Sequence, residues 1–137
     1  MSIDGTAGND PLDGTSGDDT INGFAGNDTL NGLGVADAIF GGDDQDNISG
    51  DDGNDSLDGG DGNDVIRGGE GDDLIFGQQA RDTSIGHGGA DTLDGGLDDD
   101  LLKGDAGDDV LIGAPAPMCS KAETASIRWI TASRLQA

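Results

Sequence analysis

The sequence predicts an all-β chain wound as a parallel solenoid of about six two-strand coils, and three observations lead there. A nine-residue period runs from Gly5 to Gly113 without a slip. One slot of that period is always aspartate, and another is almost always Leu or Ile. With 3% aromatic and 32% hydrophobic residues among 137, the chain cannot fill an ordinary globular core, so something besides apolar packing must hold it.

Written in rows of nine, the sequence opens each row with glycine, at positions 5, 14, 23, 32, 41, 50, 59, 68, 77, 86, 95 and 104, with Gly113 opening an unfinished row. Slot six holds Asp10, Asp19, Asp28, Asp37, Asp46, Asp55, Asp64, Asp73, Asp82, Asp91, Asp100 and Asp109. Slot eight is Leu or Ile in eleven rows; the exception is Ser84, followed at once by Ile85. Slot four is glycine in eight rows and departs at Val35, Asp44, Ala80 and Asp98. A disordered acidic tract has no reason to hold one residue type at one spacing twelve times.

Each row reads as a turn followed by a short strand. The six residues from the opening glycine to the aspartate suit a turn, because glycine admits the positive φ angles that tight turns demand. The remaining three are extended, and side-chain alternation sends the middle, apolar one inward. Two rows close a coil of 18 residues, and coils stack as parallel strands about 4.8 Å apart, giving a rod of roughly 29 Å.

The charge balance names the partner. Twenty-nine acidic against six basic residues give −23, which excludes nucleic acid and anionic membrane surfaces as partners and favours cations. Twenty-seven of the acids are Asp, the residue of turns and short-reach metal ligation; Glu70 and Glu123 are the exceptions. Stacking brings slot-six carboxylates of successive coils to roughly 5 Å, where like charges repel by about 0.8 kcal/mol in water and about 3 kcal/mol at an effective dielectric of 20. Without cations that column opposes its own fold. A Ca²⁺ ion between stacked turns would take a carboxylate from each and turn carbonyls for the rest of its six to eight oxygens.

Here the pattern resembles the repeats-in-toxin family of haemolysin-type calcium-binding nonapeptides, whose unit is glycine, glycine, any, glycine, any, aspartate, any, apolar, any. The rows GGDGNDVIR from Gly59 and GGEGDDLIF from Gly68 match every fixed slot. The resemblance implies a parallel β-roll, a right-handed β-solenoid, with calcium held in the turns by the slot-six carboxylates and backbone carbonyls. Turn glycines that would contribute are Gly50, Gly53, Gly59, Gly62, Gly68, Gly71, Gly86, Gly89, Gly104 and Gly107. It further implies a secreted, extracellular bacterial protein exported by a type I route, in the company of toxin, protease, lipase or epimerase domains.

Five gaps on each side of six coils allow up to about ten ions. Slot four suggests which are strongest: Asp44, Ala80 and Asp98 depart from glycine in odd rows and only Val35 does in an even row, while Arg81 puts a cation beside Asp82. On that count Asp55, Asp73, Asp91 and Asp109, in even rows, are the strong ligands.

Rival readings fare worse. An EF-hand loop ending at Glu70 or Glu123 would start at Gly59 or Ile112 rather than Asp. No Walker lysine follows the glycine-rich turns, and His87 is a lone histidine in a variable slot. A single cysteine, Cys119, gives no internal disulfide, and no segment reads as an N-terminal signal or a membrane span. An adhesin or ice-binding solenoid would need a continuous flat row, but slot two runs Thr6, Thr15, Phe24, Leu33, Gly42.

Residues 1–113 are therefore expected to form the calcium-binding roll and residues 114–137 a C-terminal tail of different composition, whose Ile127, Trp129, Ile130 and Leu135 suit a cap. The N-terminal end is expected to have no cap, since the repeat begins at Ile3. No nucleophile, base and orienter come together, so the expected function is calcium binding by a non-catalytic module, the alternative being a C-terminal piece of a secreted enzyme or toxin.

Overall fold

The structure, a computed structural model, describes residues 1–113; the proposed tail and its capping residues lie outside the described residues. Thirteen strands follow one another: β1 (Ser2–Asp4), β2 (Pro11–Asp13), β3 (Thr20–Ala25), β4 (Thr29–Asn31), β5 (Ala38–Asp43), β6 (Asn47–Asp52), β7 (Ser56–Asp61), β8 (Val65–Glu70), β9 (Leu74–Gln79), β10 (Thr83–Gly88), β11 (Thr92–Asp94), β12 (Leu101–Ala106) and β13 (Val110–Ile112). Odd-numbered strands make a seven-stranded sheet and even-numbered strands a six-stranded one, each in chain order. Every pairing is parallel and joins residues 18 apart, such as Ile21 with Ile39 and Ile48 with Ile66. The chain is thus a β-roll of about six coils.

The core is a single file of slot-eight side chains between the two sheets. Ile21, Leu30, Ile39, Ile48, Leu57, Ile66, Ile75 and Leu93 are fully buried, Leu102 nearly so, with Ile3, Leu12 and Leu111 packed on the ends. Register explains this economy. A slip of one residue would turn the whole file outward, so the nine-residue spacing of Leu and Ile holds all coils in step. Pro11, which has no N–H to give, sits at the start of the edge strand β2.

The strands are longer than the three-residue stubs expected from the sequence. Eight of them run to six residues, carrying extended pairing through the slot-one glycine into slots two and three. The opening glycine is therefore a strand residue, needed for closeness and not for a positive φ. A β-carbon on Gly59 would lie 2.5 Å from Asp64 Oδ2 and 2.9 Å from the Gly77 carbonyl oxygen. Only glycine leaves room there for a carboxylate and the next coil's backbone together.

Ser84 interrupts the core file between Ile66 and Leu102, fully buried and with its hydroxyl unpaired. Ile85 faces outward and does not replace the missing side chain. An unpaired buried hydroxyl costs about 1–3 kcal/mol, and each restored methylene returns about 0.8 kcal/mol. Ser84→Ile is thus expected to stabilise the calcium-loaded chain by about 2 kcal/mol in urea melts at fixed calcium, and Ser84→Ala by less. A melt unchanged or lowered by Ser84→Ile would show that the file is already filled by other means.

Candidate metal centre

The slot-six aspartates form two columns, one along each side of the rod: Asp10, Asp28, Asp46, Asp64, Asp82 and Asp100 on one, Asp19, Asp37, Asp55, Asp73, Asp91 and Asp109 on the other. In both, the backbone N–H of each aspartate donates to Oδ1 of the aspartate one coil further on, at 2.8–3.0 Å. The carbonyl of the same residue accepts from the next coil's first strand N–H, as Asp55 does from Leu74 at 2.9 Å. Sequence spacing places the residue, and these two bonds fix its backbone and its carboxylate plane.

The second oxygen is the informative one. Oδ2 of Asp28, Asp37, Asp46, Asp55, Asp64, Asp73, Asp82, Asp91, Asp100 and Asp109 is buried and has no hydrogen-bond partner among the described residues. A carboxylate oxygen buried without donor or cation carries the full desolvation cost, so ten in register mark a missing positive partner. Each faces the slot-one glycine of its own row. Along most of the rod the slot-one carbonyl of the next coil reaches the same space: a β-carbon on Gly50 would lie 2.6 Å from the Gly68 carbonyl oxygen, and one on Gly68 2.8 Å from that of Gly86. Carbonyl and carboxylate oxygens thus converge on small cells that a methyl group would fill.

Burial raises these carboxyls. Desolvation pushes Asp46, Asp55 and Asp64 up to about 6 and Asp73 and Asp82 up to about 7, against the lowering effect of the N–H each accepts. Asp37, Asp91 and Asp100 are raised for the same first reason. Asp19 moves the other way, held down by the Met1 amine 3.0 Å from its Oδ1 and by the Thr15 hydroxyl.

Among the described residues no three His, Cys, Asp or Glu side chains gather at one point. Two carboxylates at most serve a turn, and a cation there must draw most of its shell from carbonyls. That donor set is all oxygen and hard, which fits Ca²⁺ and excludes thiolate- or imidazole-seeking metals.

Of the glycines expected to contribute carbonyls, those of slot one (Gly50, Gly59, Gly68, Gly86, Gly104) each point their oxygen at the slot-one glycine one coil back. In slot four the sense is reversed: the oxygens of Gly53, Gly71 and Gly89 stack on Gly71, Gly89 and Gly107, one coil further on. Gly62 closes over the Asp44 carbonyl.

Two features of the turns escape the nonapeptide reading. Slot five is a second ladder: Asn9, Asn27, Asn54, Asn63 and Asp72 each accept, through side-chain oxygen, the slot-five N–H of the next coil. Its acceptor lies on the earlier coil, opposite to the slot-six ladder. The signal was present as the recurrent Asn or Asp before the fixed aspartate. Slot two is the other. From the third row onward every slot-two residue has positive φ, including Phe24, Leu33, Asp51, Gln78, His87 and Asp105. The sequence shows glycine there in only four of ten rows, at Gly42, Gly60, Gly69 and Gly96, so the demand was hidden.

Slot two also alters the expected ranking of the two sides. Val35, Asp44, Ala80 and Asp98 do take positive φ in slot four, three of them in odd rows. Among the slot-two residues, however, Leu33, Asp51, His87 and Asp105 are in even rows and only Phe24 and Gln78 in odd ones. Strained non-glycine residues therefore number five on each side. Arg81 is exposed and forms no ion pair with Asp82; its N–H donates to Asn63. Backbone strain favours neither column.

The rod and its columns of half-satisfied carboxylates define a parallel β-roll whose turns are built for cations. The chain belongs to the RTX calcium-binding nonapeptide repeat family, whose profile matches it four times, at residues 4–39, 36–57, 49–84 and 85–115. It is a calcium-binding repeat module. No curated protein and no solved structure matches the chain.

Two tests follow from the geometry. Asp73 and Asp82 share the same bonds, the same unpartnered Oδ2 and the same upward shift, so Asp73→Ala and Asp82→Ala are expected to raise the calcium midpoint of folding equally. A clearly larger shift for Asp73→Ala would restore the advantage of the even column.

The second concerns pH. Because the folded values of Asp46, Asp55, Asp64, Asp73 and Asp82 stand above the ordinary 3.8, the metal-free fold binds protons that the unfolded chain releases. The charge penalty is absent below about 3.8 and complete above about 7, so metal-free stability rises as pH falls through that window. In chelator, circular dichroism at pH 5 is expected to show more β-structure than at pH 8. Less structure at pH 5 would reverse the sign.

Proposed function

We propose that the chain is a non-catalytic module of a secreted protein that folds when it meets extracellular calcium. The observation that carries this reading is the set of ten buried, unpartnered Oδ2 atoms in register. The residues that would hold the ions are the slot-six aspartates, with carbonyls of slots one and four. Calcium supplies the positive charge that turns a repelling column into a bridge between coils. The chain's own residues do the rest: Oδ1 accepts from the neighbouring coil, the glycines keep the cells open, and the Leu and Ile file sets the spacing.

A net charge of −23 would be nearly offset by about ten divalent ions, a number that the ten unpartnered Oδ2 atoms support. Millimolar extracellular calcium suits sites made of few charges and many carbonyls. An attached catalytic or toxin domain would gain a spacer that is expanded before export and rigid after it.

Calcium titration followed by circular dichroism is expected to show a cooperative gain of β-structure at high micromolar to millimolar levels, with several ions per chain by metal analysis. Mg²⁺ should not replace Ca²⁺, since it holds its water and demands tight octahedral geometry. An identical compact β-spectrum in chelator and in calcium would sink the proposal.

A further inference from the structure

The twelve turns fall into two chemical kinds. In ten of them, rows three to twelve, Oδ2 of the slot-six aspartate has no partner among the described residues and slot two has positive φ. In rows one and two neither holds. Asp10 Oδ2 accepts from the Thr6 N–H at 2.6 Å and from the Thr6 hydroxyl at 2.8 Å. Asp19 Oδ2 accepts the same pair from Thr15, at 2.6 and 2.8 Å. Each threonine oxygen also accepts from the slot-four N–H, of Gly8 or Gly17, at 3.2 Å. Thr6, Thr15, Gly8 and Gly17 all keep negative or extended φ.

The carboxylate is displaced accordingly. A β-carbon on Gly5 or Gly14 would lie 3.0 or 3.1 Å from Oδ2 of its row's aspartate, against 2.5 Å or less in the ten rows that follow. Residue choice agrees with conformation. Slot two is β-branched only at Thr6 and Thr15, and a β-branched residue at positive φ is a steric outlier. Threonine both keeps the turn out of the cation-ready conformation and supplies the two donors that the carboxylate needs.

We propose that Thr6 and Thr15 make the first coil self-satisfied, so that Asp10 and Asp19, although they match the ligand pattern, hold no calcium and the ion columns start at Asp28 and Asp37. The first coil then serves as a metal-free end plate on which the second coil pairs, where the sequence predicted no cap. Its backbone is already joined to that coil by Asp10 N–H to Asp28 Oδ1 and Asp19 N–H to Asp37 Oδ1, both at 2.8 Å. Capping here is done by side-chain donors on a carboxylate, as at a helix N-cap.

This inference rests on the calcium reading, and the test separates the two. Ions bound per chain at saturating calcium are counted by equilibrium dialysis and metal analysis for the full chain and two double variants. Asp10→Asn/Asp19→Asn keeps an acceptor for the threonines and should bind as many ions as the unaltered chain. Asp46→Asn/Asp55→Asn, the same change in the third coil, should lose ions. A third variant, Thr6→Val/Thr15→Val, should keep the ion number while raising the calcium midpoint of folding about twofold, because the lost bonds are shared among all the ions that fold the chain. Equal ion loss in the two Asp→Asn variants, or an unmoved midpoint in the valine variant, overturns the inference while calcium binding stands. An unaltered chain that binds no calcium overturns both.

Discussion

Everything in this rod depends on a carboxylate divided between two partners. From Asp28 to Asp109 one oxygen of each slot-six aspartate accepts the N–H of the preceding coil, and the other has no hydrogen-bond partner among the described residues. The first bond ties coil to coil and sets the aspartate at the stacking distance. The second oxygen makes that same stack electrostatically unstable. A repeat that buries only one apolar side chain in nine residues has little with which to override such a conflict, so the cation becomes part of the core.

The same division explains where glycine is required. In slot one it is extended and its missing β-carbon is the space into which carboxylate and carbonyl oxygens turn; in slot four it relieves a left-handed backbone. The two demands are different in kind, and they fail differently. Slot one is glycine in every row, because any side chain would fill the cell. Slots two and four tolerate Phe24, Asp44, Ala80 or Asp98, because left-handed strain of about 1–3 kcal/mol per residue can be carried by neighbours held on both sides.

The two ladders of slots five and six run in opposite senses, and where both are present they stiffen the turn against sliding along the rod. Slot-five acceptors reach forward to the next coil's N–H, and slot-six acceptors reach back. A turn displaced along the axis would lengthen bonds of both kinds. Such a turn can present its carbonyls in a constant arrangement over many coils, which a shell made mainly of backbone oxygen requires.

The sequence by itself determined the period, the parallel stack of 18-residue coils, the inward file of Leu and Ile, and the identity of the aspartates. It could do so because each depends on spacing alone: a fixed residue at every ninth position can only form a column. Tertiary structure decided what spacing does not encode. Slot-one glycine is extended because of what lies above it, slot two is left-handed although Phe24, Leu33, Gln78 and His87 stand there, and strain is balanced between the sides once both slots are counted. Asp10 and Asp109 are identical in the repeat, yet one Oδ2 is held by a threonine and the other by nothing among the described residues. That difference arises from the donors that reach each oxygen in space, and a one-dimensional pattern of residues does not contain them.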